Sequence, residues 1–294
     1  MQFFLELSFN GLVIGMLYAL VAVAIVIVCK ATKVVSLAHG QLLAFGALFF
    51  YVGLIALGWP LWVSGIFALA LGALLGFAAE RLFLRPLIGQ PLFTGFLMTF
   101  AIFMILDGVF ALILKGEAWG FPDFLPKGDI LLAGVSMHIS GLFSFGICLL
   151  VFFIVLALFR YTKMGLGMRA TAESNKLAQS VGINVRTIFS LVWILSAVVA
   201  VVAGIMLARY YDIRFMLTMV AFKAMVVAIV GGLDSLNGAV IGGLILGWIE
   251  NVAAGYIDPL VGGGVQEVVG YILLLLILLV KPYGIFGLVR VERI

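Results

Sequence analysis

Apolar runs close to the thickness of a bilayer alternate with short polar breaks along the whole chain. A run of about 20 mainly apolar residues is long enough to cross the hydrocarbon core as a helix. Nine spans are predicted: 9–28, one ending near 57, 61–80, 93–114, 141–159, 188–208, 215–230, 239–255 and 265–280. In lipid every backbone polar group must find its partner within the protein, which leaves helices or a closed barrel. A barrel would show alternating segments of about ten residues, whereas these runs are continuously apolar. The expectation is an all-α polytopic helix bundle of about eight to ten spans, one transmembrane domain over 1–294. A re-entrant or broken helix within 30–41 would change the count by one. In the third span Ala68, Gly72 and Gly76 recur at four-residue spacing, a small-residue stripe that lets another helix approach closely.

One polar break differs from the rest. Residues 160–186, RYTKMGLGMRATAESNKLAQSVGINVR, carry Arg160, Lys163, Arg169, Lys176 and Arg186 against the single acid Glu173. Within it Ala170, Leu177, Ala178 and Val181 fall at helical spacing, which predicts one short helix over 170–181 with a modest apolar face. Gly182 suits its C-cap, and Asn184 suits the N-cap of the span that follows. A water-facing helix with an apolar face and no core of its own requires a partner.

Charge orients the chain. Of the 17 Lys and Arg residues, twelve fall on one side of the predicted membrane: Lys30, Lys33, Arg81, Arg85, the five of 160–186, Lys281, Arg290 and Arg293. Four, Lys115, Lys127, Arg209 and Arg214, fall on the other, and Lys223 lies within a span. The positive-inside rule makes the richer side cytoplasmic, with the N-terminus outside and the C-terminus inside. Met1 to Asn10 has no basic residue, unlike the start of a secretory signal, so the first span is expected to remain in the mature protein.

Composition supports membrane residence and narrows the chemistry. The chain is 65% hydrophobic and 10% charged, where soluble domains carry about 25% charged residues. The net charge of +4 reflects orientation rather than nucleic-acid binding. Cys29 and Cys148 sit in or beside separate spans and read as packing residues. Gly262-Gly263-Gly264 lacks the lysine of a phosphate-binding loop, so ATP hydrolysis is not expected on this chain. His39 and His138 have no Cys or acidic companions at ligand spacing, and no metal site is expected. With no nucleophile–base arrangement, transport or a structural membrane role remains.

Asp107, Lys223 and Glu250 lie inside predicted spans. A charge at bilayer depth costs about 2.5 to 3.5 kcal/mol on the insertion scale and normally faces a bundle interior or wet cavity. These groups either line a path for a polar solute or pair between helices, Lys223 with Asp107 or with Glu250. Ser8 to Gly15 also lines up with Ser235 to Gly242. That similarity is either the trace of an inverted repeat or two independent uses of a capped start followed by a small-residue face.

Four motifs together resemble the permease of high-affinity branched-chain amino acid (Liv-type) ATP-binding-cassette importers. They are Asn10 to Leu20; Ser36-Leu37-Ala38-His39-Gly40-Gln41; Gly165 to Glu173 continuing through Leu177-Ala178 and Gly182-Ile183; and Phe222-Lys223-Ala224, Gly231-Gly232-Leu233, Ser235 and Gly238 to Gly243. The resemblance implies a coupling segment with Gly165, Arg169, Ala170, Glu173, Leu177 and Gly182 as its contact residues. His39, Gly40, Gln41, Asp107, Lys223 and Glu250 become candidates for the solute pathway, and Gly231, Gly232, Gly238 and Gly242 for tight turns and packing.

The same resemblance implies a second permease subunit, either a copy or a related chain, and two cytoplasmic ATPases that hold ATP and Mg. It further implies an external substrate-binding protein, and residence in a bacterial inner membrane. Ser36, Leu37, Gln41, Asp234 and Asn237 depart from the family's usual residues, which keeps urea, short amides and other amino acids open beside the branched-chain ones. His39 either lines the pathway or bonds backbone freed by a broken helix. An ion-coupled secondary transporter would need no ATPase, and a purely structural subunit would need no water-facing amphipathic helix.

Overall fold

The computed structural model describes residues 1–132 and 135–287; Arg290 and Arg293 of the basic set lie outside them. Among the described residues the α-helices are α1 (Gln2–Thr32), α2 (His39–Tyr51), α3 (Leu61–Ala78), α4 (Leu92–Leu114), α5 (Ile139–Tyr161), α6 (Lys163–Glu173), α7 (Asn175–Ser180), α8 (Val185–Tyr211), α9 (Phe215–Gly231), α10 (Leu236–Val261) and α11 (Val265–Val280). Strands β1 (Asp129–Leu132) and β2 (Val135–His138) pair antiparallel between α4 and α5. Seven helical segments are long and apolar enough to cross a membrane, and α9 and α11 are apolar but shorter, at 17 and 16 residues. The protein is a polytopic helical membrane protein, and each of the nine predicted spans has its helix.

The stretch 30–41 is a true helix break. The first helix runs on to Thr32, Lys33 takes a left-handed φ of 62°, and helix resumes only at His39. Two helices loosen into π turns at their ends, Val52–Ala56 after α2 and Ala79–Leu84 after α3.

The chain divides into two compact units. The larger comprises 27–124 and 151–222, and the other comprises 1–26, 125–150 and residues from 223 onward. In the larger unit α2 is almost wholly buried, and α3 buries one stripe, Ser64, Ala68, Gly72 and Gly76, in which Ser64 meets Gly53 and the two glycines meet α8. A Cβ on Gly72 would strike the Val201 side chain, and one on Gly76 would strike Ala197 and the Trp193 carbonyl. Lipid tails are as apolar as leucine, so helices in a membrane gain by close backbone approach rather than by hiding large side chains. The rest of α3 is free to carry outward Trp62, Ile66 and Leu74, all exposed.

The same unit ties the α4 connection to the α8–α9 turn. Trp119 and Ile213 exchange backbone bonds of 3.0 Å, Phe121 N donates to Asp212 Oδ1 at 3.1 Å, and Arg209 Nη2 donates to Asp123 Oδ1 at 2.8 Å.

In the smaller unit the first half of α1 crosses α10 through glycine on both sides. A Cβ on Gly11 would meet the Gly247 carbonyl, and one on Gly243 would meet the Gly15 carbonyl. On the N-terminal side of α1 from that crossing, Leu7 lies against Gly255, and Trp248 Nε1 donates to Ser8 Oγ at 3.0 Å. Ser8 to Gly15 thus packs on the part of α10 that follows Ser235 to Gly242, and the similar segment itself packs on Val227 and Gly231 of α9.

Candidate functional site

The basic break folds as two short helices rather than the single helix predicted over 170–181. Thr162 Oγ1 accepts from Gly165 N at 3.1 Å and caps α6, and Ser174 Oγ accepts from Leu177 N at 3.4 Å and caps α7. Ser174 has extended backbone, φ −157° and ψ 120°, so the helix stops at Glu173 and restarts at Asn175. Serine offers the backbone a side-chain partner that competes with the continuing helix. Gly182, at φ 84°, ends the second helix, and Asn184 Oδ1 accepts from Thr187 N at 3.3 Å to start α8.

The break divides the apolar face. Ala178 is buried and Ala170 partly so, packed with Val185, Phe189, Ile183 and Ile88. Leu177 and Val181 instead stand 67% and 74% exposed, alongside Leu166 at 59%. Gly165 sits against the carbonyls of Leu158 and Phe159, where no Cβ would fit, and the Arg169 guanidinium donates to the Phe159 carbonyl. Gly165, Arg169 and Ala170 therefore hold the segment to its own chain, while Glu173 and Leu177 project into open surroundings.

Beside this segment lies a polar knot that the residue pattern does not disclose. Glu80, 1% exposed, sits in the π turn after α3. Its carboxylate accepts from Arg85 Nε at 3.1 Å, Arg85 Nη2 at 3.3 Å and Ser190 Oγ at 2.6 Å, and Arg85 Nη2 also donates to Ser190 Oγ at 2.7 Å. Glu80 and Arg85 are five residues apart across an irregular turn, a spacing that no helical periodicity pairs. Only the i+5 winding of a π turn carries the signal.

The 36–41 motif opens α2 and is wholly buried at Ser36, His39, Gly40 and Gln41. Leu37 N donates to Thr99 Oγ1 at 3.4 Å, and Gln41 Nε2 donates to Asp107 Oδ1 at 2.7 Å. The His39 ring packs 5.7 Å from that of Trp193, and neither of its nitrogens makes a hydrogen bond of ordinary geometry, although the Ser36 backbone lies nearby. Gly40 is pressed against the Thr218 carbonyl.

Lys223 and Glu250 belong to the smaller unit and meet there, Nζ to Oε2 at 3.3 Å, with Glu267 Oε1 at 3.8 Å and the Tyr18 ring 5.8 Å from the ammonium. Of Asp107, Lys223 and Glu250, the last two are brought together, and Asp107 is bonded to Gln41. The glycines of the same unit form a tight knot. Gly231 and Gly238 touch through their backbones, Gly242 lies against Val227 and Gly231, and Gly232, at φ 103°, meets Gly287.

Residues 7–280 match the family described as branched-chain amino acid transport system, permease component. The high-affinity branched-chain amino acid transport system permease protein LivH of Escherichia coli (strain K12) is 30% identical, over 99% of this chain and 98% of its own. The corresponding permease protein BraD of Pseudomonas aeruginosa is 28% identical over the same shares. A probable branched-chain amino acid transport permease protein LivH of Methanocaldococcus jannaschii is 29% identical over 95% and 91%. Among solved structures, PsaBC from Streptococcus pneumoniae in complex with Fab aligns at a TM-score of 0.48 and 14% identity, over 94% of this chain and 92% of that one.

Proposed function

The chain belongs to the branched-chain amino acid transport permease family, and from that membership we propose that it forms the solute pathway of an ATP-binding-cassette importer. Branched-chain amino acids are the proposed solutes. Two cytoplasmic ATPases, holding ATP and Mg, are the proposed partners of the 162–184 segment. A second permease subunit, copy or relative, completes the pathway, and a binding protein outside a bacterial inner membrane delivers the solute.

The observation that carries this reading is the outward side of the segment. Leu166, Leu177 and Val181 are exposed on a basic, water-facing stretch whose remaining apolar residues are already packed on their own chain. Such residues have nothing of this chain left to cover, and an amphipathic helix set into a groove of a partner is a recurring mode of recognition. Gly165 and Arg169 fasten the segment to the end of α5, so a push on α6 and α7 is passed to the spans rather than absorbed by slack chain. ATP-driven closure of the ATPases would shift the equilibrium between two arrangements of the pathway, with no chemistry on the solute.

Co-purification from native membranes tests the assembly: an ATPase is expected in the eluate, and its absence overturns the importer reading. Uptake of labelled leucine with excess leucine or urea as competitor tests the solute. Competition by urea and not by leucine would move the assignment to the short amides.

A further inference from the structure

Lys223 commits two of its three N–H donors to hydrogen bonds, with Glu250 Oε2 at 3.3 Å and with the Gln266 carbonyl at 3.5 Å. Glu267 Oε1, at 3.8 Å, lies beyond hydrogen-bond reach. The third donor is therefore met only by charge across a gap. The two carboxylates are held very differently. Glu250 is 1% exposed, whereas Glu267 is 63% exposed on the first turn of α11. A loose, solvent-facing contact contributes little to stability, so the Glu267 side chain can swing away from the ammonium at small cost.

The surroundings of that gap restrict what can fill it. The position already holds a second carboxylate beside Glu250, so it accepts that charge. Lys223, Glu250, Gly270 and Tyr271 close on one another without a void, and an occupant must take the place of Glu267 rather than join it. The turn leading into α11 is Gly262-Gly263-Gly264, where a Cβ would meet nothing within 4 Å among the described residues, so that approach is open. Tyr271, four residues after Glu267 and so on the same helix face, offers a half-exposed ring beside the charges. An anion alone would face the displaced glutamate, and a cation alone would leave the third Lys223 donor unmet. A carboxylate and an ammonium on neighbouring carbons satisfy both residues at once.

We propose that Lys223 and Glu267 together recognise an α-amino acid zwitterion. Its carboxylate takes the place of Glu267 on Lys223 Nζ, its ammonium pairs with the displaced Glu267 carboxylate, and its aliphatic body lies along Tyr271. The inference rests on the reading of the chain as an amino acid permease, and it brings in Glu267, which no pathway role includes. In the orientation set by the basic residues, the first turn of α11 is at the external end, where solute arrives. Glu250 keeps its bond to Lys223 throughout, so neither buried charge is left alone.

Photoactivatable leucine, which keeps both charges, is the probe. It is applied to right-side-out membrane vesicles that contain the full-length chain and are washed free of soluble proteins. Label is expected within 265–272 and should be protected by excess leucine. Isopentylamine, which lacks the carboxylate, and 4-methylpentanoate, which lacks the ammonium, should not protect. Glu267→Gln should lower the labelling about tenfold, and Glu267→Asp, which keeps the anion, should retain it. Thermal melting identifies a variant that fails to fold, in which case protection by the two analogues on the unaltered chain decides. Absence of label in these residues overturns the site, as does equal labelling of folded Glu267→Gln or protection by either singly charged analogue. Uptake of labelled leucine by intact cells with the complete importer separates the site from the transport reading. Uptake without label removes the site and leaves the permease assignment standing. Leucine-protected label without uptake sustains the site and removes leucine as the transported solute.

Discussion

Lys223 Nζ lies 3.3 Å from Glu250 Oε2, with the two side chains 12% and 1% exposed. Glu267 Oε1, on the first turn of α11, stands 3.8 Å from the same ammonium. Gly270 makes room for the glutamate, since a Cβ there would strike Oε1. One cation therefore joins α9, α10 and α11 at a depth where an unpaired charge is costly.

Removing one member of that pair should hurt more than removing both. Lys223→Met leaves Glu250 buried without its partner, a loss of about 3 to 5 kcal/mol. The double replacement Lys223→Met with Glu250→Met should recover most of it, because a buried pair exchanged for apolar groups is often neutral. Melting temperatures of the purified protein in detergent measure this, and a double variant as unstable as the sum of the singles would refute it.

The α1–α10 crossing should tolerate no side chain. Gly247→Val would put branched carbons into the backbone of Gly11 and Gly15 and should sharply reduce the yield of folded protein. Gly65→Val is the control, since a Cβ there meets nothing within 4 Å. Overpacking of this kind costs about 1 to 3 kcal/mol or more. Size-exclusion profiles of the two variants decide it, and equal yields would contradict the packing account.

Leu177 and Glu173 are exposed, so their replacement should spare the fold and act on the contact. Leu177→Ser combined with Glu173→Ala is expected to lower ATP-dependent uptake about tenfold or more, the equivalent of 1.4 kcal/mol. The amount of permease in the membrane should not change. Unaltered uptake together with unaltered ATPase binding would remove both residues from the coupling role.

Ser190→Ala takes away the donor that Glu80 Oε2 accepts at 2.6 Å and the acceptor that Arg85 Nη2 reaches at 2.7 Å. A hydrogen bond to a charged group is worth about 1.5 to 3 kcal/mol. The expected result is a lowered melting temperature and faster hydrogen exchange in residues 80–87, and no change in either would mean that the Glu80–Arg85 pair suffices alone.

Much of this molecule is legible along the chain, for reasons that lie in the solvent. A bilayer admits continuous helices of a set length, so hydropathy places all nine apolar helices, and the spacing of Ala68, Gly72 and Gly76 marks the buried face of α3. Capping is equally local, and Asn184 and Gly182 could be assigned from their neighbours. The Ser174 cap is just as local, but the apolar spacing of Ala170, Leu177, Ala178 and Val181 runs across it and reads as one helix.

Partnership between distant residues is another matter. Lys223 had two carboxylates within reach of sequence reasoning, and which one it meets depends on how α9, α10 and α11 pack, with Gly270 clearing the space. Glu80 finds Ser190 across 110 positions because a π turn swings its carboxylate toward α8. Periodicity states which face of a helix is buried; only the assembled helices state what that face touches, since a contact is set by the positions of two backbones and each run of sequence governs one.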